Sequence, residues 1–193
     1  MATTQNLSTG IGLLDRVSVA LDRLTAIMSA VGTAIILVIM MLIVADVVGR
    51  AALGAPIAGV PEIVAMSILA IVFLQIANTL ARGKLTRSDA LLGALYRRSP
   101  RAGRLLDGVM HLGGAFLIGV LINAFWPLFL RSYGRNEMVG AVGQFNAPIW
   151  PVHGIVLAGS VVLCMVFLSR TAALFVLAFR GEVNRNGLGE AAE

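Results

Sequence analysis

Three charged residues are placed where they could carry out chemistry between two apolar stretches of the chain. Asp46 lies four residues before Arg50, so the two side chains share one helix face, and Glu62 opens the following stretch just after Pro61. Acids in membrane segments often mark ion or proton paths, so Asp46 and Glu62 could together form such a site. The structural alternative is an ion pair plus a carboxylate at the positive N-terminus of a helix. We favour this alternative, because both acids lie near one end of an apolar stretch.

A polar patch formed by Gln75, Asn78 and Thr79 lies in the second apolar stretch. Their spacing of i, i+3 and i+4 places the three side chains on one helix face. In a membrane such a patch usually hydrogen-bonds to a neighbouring helix, and less often it lines a solute path.

The two histidines, His111 and His153, could in principle bind a haem. They lie near opposite ends of successive apolar stretches, and at 1.5 Å per helical residue their depths would differ by about 20 Å. One haem with two histidine ligands cannot bridge that distance, so packing roles are expected for both.

The sequence contains little else from which an enzyme could be built. The one cysteine, Cys164, allows neither an intrachain disulfide nor a cysteine-based metal site. No HExxH, GxSxG, Walker or GxGxxG motif occurs in the chain. We therefore expect neither an enzyme nor a cofactor bound by this chain.

The elements that position these residues are long and apolar. The chain has 193 residues, of which 58% are hydrophobic and 13% charged, against about 25% charged in soluble domains. Each uncharged stretch has enough residues to cross a hydrocarbon core of about 30 Å as a helix. These stretches are residues 24–45, 63–81, 108–130 and 138–169. Pro148 and Pro151 indicate that the last span starts near Trp150, which leaves residues 131–147 as a loop.

We therefore predict an all-α integral membrane protein that forms a single membrane domain over residues 1–193. The predicted spans are residues 24–49, 61–81, 105–130 and 149–179. Two amphipathic segments flank them. Residues 11–24 either lie along the inner interface or continue the first span into water. Residues 87–98 are predicted to form an interfacial helix whose basic flanks face anionic lipid, with a solvated basic loop as the alternative.

The basic residues indicate how the chain is oriented. Twelve of the 15 lysines and arginines fall on the side of the two termini and the second loop, and this side of a membrane protein is normally cytoplasmic. Trp126 and Trp150 both fall on the opposite side, at the level where tryptophan favours the headgroups. The net charge of +5 therefore indicates topology rather than nucleic-acid binding, and both termini are expected to be cytoplasmic.

Four short motifs occur in order along the chain. They are Asp46-Val47-Val48-Gly49-Arg50, Gly54-x-Pro56-Ile57-x-Gly59-x-x-Glu62, Ala81-Arg82-Gly83-Lys84 and Pro148-x-Trp150. Each is common by itself, but the ordered combination resembles the DctQ-type small membrane subunit of tripartite ATP-independent periplasmic (TRAP) transporters. The span number, the size and the inward termini fit this resemblance. One departure is that many relatives carry a histidine and a hydrophobic-acid pair where this chain reads residues 84–89.

The resemblance implies a secondary transporter of the bacterial inner membrane with three parts. A periplasmic substrate-binding protein delivers an organic anion, a large permease subunit holds the solute and sodium sites, and the small subunit packs against the permease as an immobile scaffold. The small subunit would then bind no substrate or metal itself, and its partners would be these two proteins and membrane lipids. The positions expected to serve structure or subunit contact are Asp46, Arg50, Glu62, Gln75, Asn78, Arg82, Trp126 and Trp150.

Two other functions are alternatives to this one. A four-helix membrane anchor of an electron-transfer enzyme would bind haem or quinone between its spans. A self-contained small transporter would be built from two similar halves, but the first two spans share no motif with the last two.

Overall fold

The computed structural model describes residues 12–83, 100–140 and 146–180. In chain order they form α1 (Gly12–Leu53), α2 (Val60–Ala81), α3 (Pro100–Gly134), the strands β1 (Met138–Val139) and β2 (Ala147–Pro148), and α4 (Trp150–Arg180). All four described helices are long and apolar enough to cross a membrane. The prediction of an all-α membrane protein with four spans is confirmed.

Helix α1 is continuous over 42 residues, about 63 Å at the usual rise. No proline interrupts it, and Gly12, Gly32 and Gly49 are its only glycines. From Gly12 onward the helix is continuous with the first span. The predicted interfacial helix over residues 87–98 lies outside the described residues.

The turn between α1 and α2 is short and depends on glycine. Gly54 follows α1 with φ of 61°, and Gly59 precedes α2 with φ of 85°. Both values lie in the left-handed region, which glycine adopts without steric cost. Pro61 then occupies the first turn of α2, where its missing N–H leaves no helical hydrogen bond unmade.

The helices pack so that α2 and α4 occupy the middle of the bundle. Helix α2 contacts both α1 and α4, and α4 contacts α3 over most of its length. At the closest approach of α2 and α4, a Cβ atom added to Gly159 would lie 2.6 Å from the Phe73 carbonyl oxygen. The core cluster joins three of the four helices and consists of Leu21, Ala77, Leu80, Ala81, Leu163 and Val166.

The bundle has two distinct ends. We call the end that contains the start of α1, the end of α2 and the end of α4 the basic end, and the opposite end the hairpin end. At the hairpin end β1 and β2 pair antiparallel, with Met138 opposite Pro148 and Val139 opposite Ala147.

The hairpin end differs from the predicted loop over residues 131–147. Helix α3 continues past the charged Arg131 to Gly134, because a helix can extend beyond the hydrocarbon layer once its polar groups reach water. The Ile149 N–H then donates to the Glu137 carbonyl at 3.0 Å, which ties the start of α4 to the end of α3. The two described ends of this loop are therefore joined by a backbone hydrogen bond and by the β1–β2 pair.

Candidate functional site

The carboxylate of Asp46 lies at the hairpin end, where it connects α1 to the following loop. Its Oδ2 atom accepts a hydrogen bond from the Arg50 guanidinium at 2.9 Å, so the predicted ion pair is present. Its Oδ1 atom accepts a second hydrogen bond, at 2.8 Å, from the backbone N–H of Ile57. Asp46 is 7% exposed, whereas the Arg50 side chain is 63% exposed. The acid is therefore held by the loop, and the arginine covers it from outside.

The loop residues around this carboxylate form an apolar tip. Leu53 is 80% exposed and Ile57 is 43% exposed, and Ala55 and Pro56 between them are also exposed. The Ala55 N–H donates to the Gly49 carbonyl at 3.3 Å, so the chain turns back over the last turn of α1. Asp46 thus fixes the path of a short apolar loop at the membrane surface.

Glu62 lies in the first turn of α2, as its sequence position predicts, and its side chain is half-buried. No ion pair or hydrogen bond joins it to Asp46 or Arg50 among the described residues. The two acids are therefore not brought together into one site. Within the described ranges no group of three or more His, Cys, Asp or Glu side chains could hold a metal ion.

The polar patch of α2 divides between two kinds of contact. Gln75 packs against α1, because a Cβ atom added to Gly32 would lie 3.0 Å from Gln75 Cγ. Thr79 donates to the Gln75 carbonyl at 3.1 Å, within its own helix. Asn78 Oδ1 accepts from Arg82 Nε, also at 3.1 Å. One residue of the patch thus faces a neighbouring helix, and the other two hold the end of α2.

A polar cluster that links three helices lies at the basic end. The Arg170 guanidinium of α4 donates to the carbonyl of Ala81, which lies in the last turn of α2. Asp22 of α1 lies within electrostatic range of Arg170 and Arg82. The buried Thr25 hydroxyl donates to the Asp22 carbonyl at 3.1 Å. Sequence reasoning missed the roles of Asp22 and Arg170, because only the fold brings them together.

The two histidines lie in separate places and each has a partner within the chain. His153 Nδ1 of α4 lies 2.9 Å from the Ser132 hydroxyl of α3, and both side chains are buried. Ser132 also lies 3.0 Å from the Leu128 and Phe129 carbonyls, to which its one proton can be donated. When the serine donates to either carbonyl, its oxygen can accept from a His153 Nδ1–H. This contact, which sequence reasoning also missed, joins α3 to α4 at the hairpin end.

His111 lies near the other end of the bundle and contacts Asp107, one turn earlier on its own helix. Its Nδ1 atom lies 2.7 Å from the Asp107 carbonyl oxygen and 3.2 Å from Asp107 Oδ1. The Phe167 ring of α4 packs edge-on against it, with the ring centroids 6.0 Å apart. The two histidines therefore have separate environments near opposite ends of the bundle.

The tryptophans lie on the surface near the hairpin end. Trp126 of α3 is 52% exposed, and Trp150 at the start of α4 is 37% exposed. Tyr133 packs edge-on against Trp150, with the ring centroids 5.8 Å apart. Amphipathic aromatic rings in this arrangement suit the level of the lipid headgroups.

Large apolar side chains cover much of the bundle surface. On α1 and α3 the most exposed examples within the spans are Ile27, Leu37, Val38, Met41, Phe116 and Leu117, each at least 60% exposed. A further apolar groove between α3 and α4 is lined by Val109, Leu112, Phe116 and Leu168. Such a surface requires lipid or another membrane protein around it.

Comparison with known proteins shows one family. The family described as "Tripartite ATP-independent periplasmic transporters, DctQ component" matches residues 39–177, which include Asp46, the α1–α2 loop and most of α4. No curated protein and no solved structure matches the chain significantly. DctQ proteins are transporter components, so the expectation that the chain is not an enzyme is confirmed and the electron-transfer alternative is not favoured. Because the match covers more than half of its length, the chain belongs to the DctQ family and is a multi-pass membrane protein of the small-subunit type found in TRAP transporters.

Proposed function

We propose that this chain is the stationary small subunit of an ion-driven transporter that imports an organic anion across the bacterial inner membrane. A large permease subunit would be its membrane partner, and a periplasmic binding protein would deliver the solute to the complex. Sodium and solute would bind the permease. The observation that carries the proposal is the distribution of polar groups in a chain of this family.

The described ionisable groups within the bundle lie at its two ends. Asp46 and Arg50 are paired at the hairpin end, and Asp22 and Arg170 lie close together at the basic end. Between these ends the buried polar groups are neutral, such as Ser160, whose hydroxyl donates to the Val156 carbonyl at 2.7 Å. Intramembrane ion sites normally require ionisable side chains or irregular backbone at mid-depth. The described part of this chain has continuous helices at that depth instead.

The outer surface of the bundle supports a subunit that binds another membrane protein. Helix α1 carries most of its large side chains outward, including Leu37 and Met41, which are 60% and 72% exposed. Helices in lipid associate through side-chain packing over such surfaces. A helix of about 63 Å also resists tilting relative to its partner, because it extends well beyond a hydrocarbon core of about 30 Å.

The proposed orientation places the basic end in the cytoplasm. Four arginines lie at that end, namely Arg16 and Arg23 of α1, Arg82 directly after α2, and Arg170 of α4. Trp126 and Trp150 lie toward the other end. The positive-inside rule and the preference of tryptophan for the headgroup level support the same orientation. The Asp46 loop and the β1–β2 hairpin would then face the periplasm and the binding protein.

Reconstitution tests the proposal. Proteoliposomes containing the cognate large permease subunit, supplied with the matching binding protein, are expected to take up solute only when this chain is present. The purified chain by itself should be colourless and should not transport. Uptake by the permease without the chain, uptake by the chain without the permease, or a haem Soret band in the purified chain would each refute the proposal.

A further inference from the structure

A shallow notch lies on the surface of α1 at the basic end. It is lined by Arg16, Val19, Ala20 and Arg23, all four of which are exposed. The two arginines are seven residues apart, which is two helical turns or about 10.5 Å along the axis, so they lie on the same face. Val19 and Ala20 form an apolar floor between them.

The positive charge of this notch is not neutralised within the described chain. Asp22 is adjacent to Arg23 in sequence, but its electrostatic partners are Arg170 and Arg82 on the bundle side of α1. Neighbouring residues on a helix do not face one another. Among the described residues neither Arg16 nor Arg23 forms an ion pair.

The notch lies at a particular depth relative to the span. The uncharged stretch of α1 begins at Leu24, so Arg23 lies at the border of the hydrocarbon layer. Arg16 lies about 10 Å further out along the helix. The headgroup layer on each side of a bilayer is about 5–8 Å thick, so the notch spans that layer.

We propose that this notch binds the phosphate headgroup of one anionic phospholipid. The two guanidinium groups contact the phosphate from above and below, because their planar, fixed donors suit phosphate oxygens. The floor at Val19 and Ala20 contacts the first carbons of the acyl chains. Two arginines that form no ion pair among the described residues favour an anionic headgroup over a zwitterionic one. The inference rests on α1 spanning a membrane, which the transport role does not affect.

Native mass spectrometry of the purified chain with phosphatidylglycerol or phosphatidylcholine measures this binding. Arg16→Gln and Arg23→Gln should each weaken phosphatidylglycerol binding about fivefold, and the double variant about 25-fold. A matched control, the double variant of Arg131→Gln and Arg135→Gln, removes the same charge from exposed residues at the hairpin end and should leave the affinity unchanged. Equal losses in both double variants, or no loss in either, would overturn the proposal.

Filling the notch separates a built site from diffuse charge. Ala20→Phe keeps both arginines but closes the floor, so phosphatidylglycerol binding should fall; unchanged binding would contradict the proposal. Two further results would contradict the proposal. One is phosphatidylcholine bound as tightly as phosphatidylglycerol, and the other is displacement of the lipid by an equal concentration of inorganic phosphate. A finding that the arginine variants disrupt a dimer or a subunit contact while lipid binding stays intact would also contradict it. Because the four residues are exposed, the variants should elute from gel filtration like the unmodified chain.

Discussion

The carboxylate of Asp46 and the backbone N–H of Ile57 are joined by a 2.8 Å hydrogen bond that crosses from a membrane helix to the loop that follows it. The same carboxylate accepts from Arg50 at 2.9 Å. One acid therefore satisfies a loop N–H and an arginine at once. In this position Asp46 determines the geometry of the α1–α2 connection. This contact is a structural reason for the motif to have an acid at this position.

A series of substitutions should rank the two contacts of Asp46. Arg50→Gln removes only the exposed ion pair, which is worth little in water, so we expect the smallest loss of thermal stability. Asp46→Asn retains an acceptor for Ile57 and should be intermediate. Asp46→Ala leaves the Ile57 N–H without its acceptor and should be the most destabilising. Thermal unfolding in detergent measures the order, and a larger loss in Arg50→Gln than in Asp46→Ala would contradict it.

Sodium coupling should not depend on the acids of this chain. The Asp46 carboxylate already accepts hydrogen bonds from Arg50 and from the Ile57 N–H, and no described contact connects it to Glu62. Asp46→Asn and Glu62→Gln in the reconstituted complex should therefore leave the sodium dependence of uptake unchanged, even if assembly is reduced. The measurement is the initial uptake rate at several sodium concentrations, normalised to the amount of complex. A shifted sodium affinity in either variant would mean that the acid contributes to coupling.

Local patterns in the sequence account for the parts of this structure that could be predicted. The four spans follow from the length of the uncharged stretches, and the Asp46–Arg50 pair follows from helical spacing. The bond to Ile57 could not be predicted, because it depends on the path that Gly54 and Gly59 give to the loop. Asp46 and Ile57 are 11 residues apart on either side of a turn, so no helical or strand periodicity relates them.

Contacts between distant helices were equally invisible in the sequence. Asp22 and Arg170 belong to the first and last helices, and Ser132 reaches His153 across the β1–β2 hairpin. Each of these residues is ordinary in its local sequence. Tertiary packing brings such pairs together. The sequence has no periodic pattern over such long separations, so it does not indicate them.

The buried contact between α3 and α4 should contribute to stability. Ser132→Ala leaves His153 Nδ1 without its hydrogen-bond partner in a buried site and should destabilise the chain by about 1–3 kcal/mol. Ser169→Ala is the matched control, because among the described residues the Ser169 hydroxyl bonds only to the Val166 carbonyl of its own helix, at 2.9 Å. That variant should be nearly neutral. Similar losses in the two variants, compared by denaturant or thermal unfolding, would show that the contact with His153 contributes nothing.

The polar cluster at the basic end should behave as a coupled pair. In a double-mutant cycle, Asp22→Asn and Arg170→Gln are expected to show a coupling of about 0.5 kcal/mol, a low value for neighbouring residues because Asp22 is only half-buried. The cycle of Asp22→Asn with Arg23→Gln should be additive, because adjacent residues on a helix do not face one another. Additivity in the first cycle would mean that the Asp22–Arg170 attraction is fully screened.

The close approach of α2 and α4 should make Gly159 intolerant of a side chain. A Cβ atom at this position would lie 2.6 Å from the Phe73 carbonyl oxygen, so Gly159→Ala must move one helix backbone away from the other. Such overpacking costs about 1–3 kcal/mol, which outweighs the gain in helix propensity. Gly113→Ala is the control, because no other described part of the chain lies within 4 Å of its Cβ position. This variant should stabilise α3 by up to about 1 kcal/mol. Thermal unfolding of the two variants should therefore shift in opposite directions, and a stabilised Gly159→Ala would contradict the close contact.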